Sequence, residues 1–247
     1  MIGMPTILEF KTVEENIAFA KEYGFDFIEL NLNFSYVRKF IENNSYIDNK
    51  LKYTLHFFDE ADFGLYNEVS DAYILLLDKY LYLGKNYISQ VNVHLNVGPI
   101  VTISGIKHYL YKEEFDEYIK RLIFNLSKVK TTCDKYHINL VLENIESLDF
   151  ILDTYKYLEN KFYFCYDIGH DKTSTGLLKN YFDYNKDKFN EVHFHDSTKT
   201  KCHLAFNEGD LPIKEIYRDI KDIEYILIEV KSKQDLIKSI QYLNECK

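Results

Sequence analysis

The chain has no tryptophan and only four cysteines, three prolines and nine glycines among its 247 residues. With so little proline and glycine there is no linker-like stretch and no sign of a boundary, so one domain spanning residues 1–247 is the economical organisation. The cysteines (Cys133, Cys165, Cys202 and Cys246) are scattered without a CxxC pair. That argues against zinc knuckles and a disulfide framework, and reduced thiols in a cytoplasmic protein are expected. Basic residues are also scarce, 30 Lys and Arg against 39 Asp and Glu for a net charge of −9. Binding to a phosphate backbone rests on clustered Lys and Arg, so a nucleic-acid partner is disfavoured. No apolar run approaches the roughly 20 residues of a membrane span. The start, MIGMPTILEF, has no basic segment followed by a long apolar one, so no signal peptide is expected.

What is present is the balance of a globular protein, with 46% hydrophobic and 28% charged residues. Aromatics reach 16%, all Tyr and Phe, a bias from which no function follows. Short apolar runs alternate with helical segments along the whole length. Strands are expected near 1–7, 25–32, 51–58 and 88–98, and then at LVLEN, FYFCYD, EVHFHD and YILIEV. Between them lie helical stretches, of which Thr12–Tyr23 opens with Thr12 and Glu15 at capping-box spacing and closes on Gly24. Helices are also expected at Val37–Ile41, Tyr66–Leu83, Glu113–Tyr136, Ser147–Leu158, Thr173–Phe182, Ile213–Ile220 and Gln234–Asn244. Residues 99–110 show no clear period and are expected to form a long loop. Eight strands alternating with eight helices specify an α/β fold, a single (β/α)8 TIM barrel.

Four successive strands in the second half end in a metal-ligand type: Glu143, Asp167, His193 and Glu229. Such a barrel gathers its active site at the C-terminal ends of its strands. A carboxylate ending an apolar strand is costly to bury without compensation, and a divalent ion at the barrel mouth would compensate all of them. Two Glu, one Asp and one His suit manganese, magnesium, cobalt or zinc. His56 and His94 end strands three and four at the same rim, and His170 follows Asp167 by three residues; these three, with His203, are candidates for substrate contact. His195, two residues after His193, is expected to point to the opposite side, either supporting the ligands from behind or in a structural role. Asp196 is expected to orient a histidine or cap the next turn.

These residues resemble a known family, the xylose-isomerase-like barrels, which include sugar and sugar-phosphate isomerases and epimerases and the apurinic-site endonucleases. The resemblance is carried by GFDFIEL at Gly24–Leu30, LEN at Glu143, DxxH at Asp167–His170, HxxD at His193–Asp196, NEG at Asn207–Gly209 and IE at Glu229. The epimerase branch implies one divalent ion, manganese first, on Glu143, Asp167, His193 and Glu229. It also implies substrate contact by His170. Glu143 and Glu229 are then the expected acid and base, passing a proton through an enediolate of a small sugar or sugar phosphate. The nuclease branch is the alternative, with three zinc ions and ligands matching His56, His94, His170 and His203 as well. It departs at Lys201, where that branch has an aspartate. A sugar-binding or dehydratase barrel is the second alternative, and a homo-oligomer is left open.

Overall fold

The computed structural model describes residues 1–43 and 47–245, so Cys246 lies outside the described residues. In chain order the strands are β1 (Ile2–Pro5), β2 (Phe27–Asn31), β3 (Lys52–His56), β4 (Ile88–Leu95), β5 (Ile100–Ile103), β6 (Ile106–Tyr109), β7 (Asn139–Asn144), β8 (Tyr163–Asp167), β9 (Phe189–Phe194) and β10 (Tyr225–Ile228). Eight of them close into a parallel barrel in the order β1-β10-β9-β8-β7-β4-β3-β2, while β5 and β6 form a separate two-stranded sheet. The helices are α1 (Val13–Tyr23), α2 (Ser35–Glu42), α3 (Asn67–Gly84), α4 (Leu110–Glu113), α5 (Phe115–Asp134), α6 (Asp149–Leu158), α7 (Ile168–Thr173), α8 (Leu178–Tyr184), α9 (Ile213–Ile220) and α10 (Lys233–Glu245). None of the described helices is long and apolar enough to cross a membrane.

The start of α1 forms as its sequence requires. Thr12 Oγ1 accepts the Glu15 N–H at 3.2 Å, and Glu15 Oε2 accepts the Lys11 N–H at 2.7 Å. Gly24 ends the helix in the left-handed region at φ 75°. Two expectations fail. Residues 99–110 are not a loop: β5 and β6 pair antiparallel around Ser104 and Gly105, whose φ values of 50° and 82° are those of a two-residue hairpin turn. The single helix expected at Thr173–Phe182 is two shorter ones. The first starts directly after β8 because the Asp167 side chain accepts the His170 N–H, and Gly176 at φ 75° interrupts the chain before the second.

The barrel interior is layered. Its floor is an apolar cluster of Phe27, Tyr225 and Leu227, with Phe27 and Tyr225 edge to face at 5.2 Å. Gly3 lies against it so tightly that a Cβ there would fall 2.4 Å from the Phe27 ring. Phe27→Ala should therefore cost about 3–5 kcal/mol of stability, read as a lower denaturant midpoint at unchanged slope. An unchanged midpoint would mean that the floor does not hold the barrel closed. Above the floor the interior turns polar, because Glu29, Thr54 and Gln90 occupy register-paired positions on β2, β3 and β4 and share one face. All three are buried. Barrel interiors are ordinarily filled by branched apolar side chains. The exception here directs attention to the layer above.

Candidate metal centre

Glu143 is the penultimate residue of β7 and Asp167 the last of β8, His193 lies one residue before the end of β9, and Glu229 one residue beyond β10. Parallel pairing aligns them: His94 stands opposite Glu143, and Asp167 opposite His193. The result is four ligand atoms, one from each of Glu143, Asp167, His193 and Glu229, all within 4.8 Å of one another. His193 Nδ1 lies 3.1 Å from Glu143 Oε1, 3.1 Å from Glu229 Oε2 and 3.9 Å from Asp167 Oδ2. Despite this closeness neither His193 Nδ1 nor Glu229 Oε2 makes a hydrogen bond, and both are buried. Two of the converging donor atoms are thus left unpartnered, and the donor set of three carboxylates and one imidazole is of the type that can bind a hard or borderline divalent ion. The residues fit such an ion.

Electrostatics points the same way. Burial opposes a charged His193, yet its pKa stands well above the ordinary value. The opposing influences are the Cys165 thiol and the carboxylates of Glu143, Glu229 and Glu29. Burial also pushes the Cys165 thiol itself well up, so it is neutral and the carboxylates carry the effect. Burial likewise opposes ionisation of Glu143, Asp167 and Glu229, but His193 lowers the first, His170 and His195 the second, and Lys231 with His203 the third.

A second group shares Glu143. His56, His94 and Glu143 also offer ligand atoms within 4.8 Å of one another. His56 Nδ1 donates to the Phe57 carbonyl at 2.8 Å, which turns its Nε2 toward His94 Nε2 at 3.1 Å and Glu143 Oε2 at 3.5 Å. Burial would depress both histidines, but the Glu143 hydrogen bond and the Glu29 and Glu143 charges raise His56 to about 10, whereas His94 stays lowered by burial and by His56. One proton between two facing nitrogens accounts for the opposite directions. His170 and His203 meet on the other side of the centre, with ring centroids 5.4 Å apart. His203 Nδ1 donates to the Glu229 carbonyl at 3.0 Å, and burial pushes its pKa down to about 4 against the pull of Glu229. Lys201 is exposed.

His195 does not turn away from His193 as expected: residues two apart on a strand share a face, and β9 itself ends at Phe194, beyond which Asp196 bridges to Leu204. The supporting role behind the ligands, one of the two expected for it, is the one its contacts match. His195 is fully buried and its Nε2 faces both Asp167 oxygens, at 3.2 and 3.3 Å. Asp196 caps the turn, accepting the N–H groups of Ser197, Gly209 and Leu211, and so ties down Asn207–Gly209. Other residues at the centre carried no assignment from sequence. The Asn92 amide donates to Glu143 Oε2 and lies 3.2 Å from His193 Nε2. Glu29 Oε2 and Glu191 Oε1 lie 3.7 and 3.9 Å from that same nitrogen, on its far side from the ligands. Lys231 Nζ donates to Glu229 Oε1 at 2.6 Å, leaving Oε2 for the centre. Glu29 had a readable signal, an acid following the apolar pair Phe27–Ile28 toward the end of a strand, a shorter version of the pattern that singles out Glu143.

A family model described as a xylose isomerase-like TIM barrel matches residues 88–246. No curated protein matches. Among solved structures, a D-tagatose 3-epimerase-like protein is 19% identical with a TM-score of 0.77, covering 99% of this chain and 96% of its own. The 3-keto-D-glucoside 4-epimerase of E. coli is 14% identical with a TM-score of 0.73, covering 99% and 98%. The IolI protein with a bound zinc atom is 12% identical with a TM-score of 0.75, covering 99% and 95%. At these identities the likeness speaks for the fold.

Proposed function

Because the chain belongs to the xylose isomerase-like TIM barrel family, we propose that it is a divalent-metal-dependent isomerase or epimerase of a small sugar or sugar phosphate. The observation that carries this is the convergence of Glu143, Asp167, His193 and Glu229 on one point, with His193 Nδ1 and Glu229 Oε2 buried and unpartnered. The epimerase names among the structural neighbours agree with it. Manganese is the first choice of ion, with magnesium, cobalt and zinc as alternatives. A bound divalent ion would hold the adjacent carbonyl and hydroxyl oxygens of a sugar and acidify the C–H between them.

The chain's own residues do the rest. Glu143 enters from β7 and Glu229 from beyond β10, so the two carboxylates flank the centre from different sides, one placed to remove a proton and the other to return it. Lys231 holds one Glu229 oxygen and Asn92 one Glu143 oxygen, which limits each carboxylate to one orientation. His56, His94, His170 and His203 line the rim, where they can donate to or accept from sugar hydroxyls. Glu229→Gln should lower kcat on the responsive ketose by roughly 10²–10⁴-fold, the usual worth of a positioned acid–base group. Circular dichroism should stay unchanged. Wild-type turnover in that variant would remove Glu229 from the acid–base pair.

One observation favours a second reading, a multi-metal phosphodiesterase acting on abasic DNA: the additional group of His56, His94 and Glu143. Against it stand the exposed Lys201 where that branch has an aspartate, and the net charge of −9. Cleavage of an abasic-site duplex by zinc-loaded protein, with no response to any ketose, would decide for it.

A further inference from the structure

We propose that His195 is a positioning residue for Asp167, and that position 169 carries glycine to make room for it; the proposal rests on the metal reading above. The backbone N–H of His203 points at His195 Nδ1 from 2.8 Å. A backbone amide always carries its hydrogen, so Nδ1 presents a lone pair, and in a neutral imidazole the proton then sits on Nε2. That N–H faces Asp167 Oδ1 and Oδ2 at 3.2 and 3.3 Å and donates to the carboxylate. The Asp196 carbonyl, 3.2 Å from Nδ1, faces the same lone pair and receives nothing.

Two consequences follow. Although His195, His203 and Glu229 lie close enough together to be counted as a ligand group, His195 Nε2 has no lone pair to give, so it acts through Asp167. Asp167 Oδ1 already accepts the His170 N–H at 2.6 Å. The His195 N–H, shared between both oxygens, and the His170 N–H on Oδ1 together fix the rotation of the carboxylate, with Oδ2 facing His193 Nδ1 at 3.9 Å. The ring can occupy this place only because residue 169 has no side chain: a Cβ on Gly169 would fall 1.9 Å from His195 Cε1. Gly169 is not among the positive-φ glycines, so the demand is for space and not for backbone freedom. Carboxylate partners behind a metal ligand typically change metal affinity 10–100-fold.

The test is Co²⁺ titration of the full chain against a competing chelator, together with ¹⁵N NMR of the metal-free histidine rings. The His195 signals are assigned by their loss in His195→Gln. Expected are an Nε2–H tautomer at His195 and affinity about 10–100-fold weaker in His195→Leu and in Gly169→Ala. His195→Gln, whose amide can still donate to Asp167, should recover most of that loss. An Nδ1–H tautomer, or wild-type Co²⁺ affinity in His195→Leu and Gly169→Ala, overturns the proposal. If His195→Leu does not fold, Gly169→Ala and the Gln variant carry the comparison. A wild-type chain that takes up no Co²⁺ overturns the metal reading instead, and the tautomer alone then decides the His195–Asp167 bond.

Discussion

Glu143→Gln should be the most damaging single substitution in the chain, removing turnover by at least roughly 10³-fold and weakening metal binding at the same time. The reason is that Glu143 belongs to both ligand groups. Its Oε1 lies 3.1 Å from His193 Nδ1, while its Oε2 lies 3.5 and 3.8 Å from His56 and His94 Nε2 and also accepts from Asn92. A glutamine keeps the shape and loses the charge, so three histidines lose the anion that they face. The variant should fold, because the amide has hydrogen-bonding partners on every side. Steady-state kinetics on the responsive ketose and equilibrium dialysis with Mn²⁺ check the two parts separately. Full activity would remove Glu143 from the acid–base pair. Lost activity with undiminished metal binding would restrict it to proton transfer.

The second large effect is on pH. In the metal-free chain His193 carries a proton, because Glu143, Glu229 and Glu29 outweigh its burial and hold its pKa well above the ordinary value. A cation on Nδ1 must displace that proton, so binding releases it and tightens as pH rises, about tenfold per pH unit for each proton displaced. With an ordinary histidine pKa near 6.5 the gain would level off around neutrality. With the raised value it should continue beyond neutrality. The sign for folding is the opposite. A raised histidine stabilises the metal-free fold fully below the unfolded pKa of about 6.5 and loses that contribution as pH climbs through the folded one. Calorimetric titrations with Mn²⁺ in two buffers of different ionisation enthalpy measure the proton release directly. An affinity that plateaus by pH 7 would show His193 to be unprotonated before the ion arrives.

The parts of the centre legible from sequence were those announced by a break in pattern. Glu143 and Glu229 end apolar runs, Asp167 and His193 do the same, and the structure brings all four together. Glu191 and Asn92 gave no such signal, because they lie within strands, and which face of a strand looks into a closed barrel depends on register with neighbours that are distant in sequence. The direction of His195 was misjudged because strand alternation puts residues two apart on one face, not on opposite ones; its supporting role was legible, whereas nothing in VHFHDS marks Phe194 as the final residue of β9. The hairpin of β5 and β6 did leave a trace. Its β-branched residues flank Ser-Gly, and Ser104 and Gly105 both take positive φ, so the turn chemistry was readable where the hydrophobic period was not. The barrel itself was legible because alternation of strand and helix leaves few other architectures open.

Metal content per chain tests most directly whether Glu143, Asp167, His193 and Glu229 hold an ion as proposed. The protein would be loaded with Mn²⁺, freed of loose ions and measured by elemental analysis, alongside His193→Leu and the double variant His56→Ala/His94→Ala. The account predicts about one retained ion in the wild type, the same ion in the double variant, and none in His193→Leu. No ion in the wild type, or an ion that survives loss of His193 and disappears with His56 and His94, would contradict it.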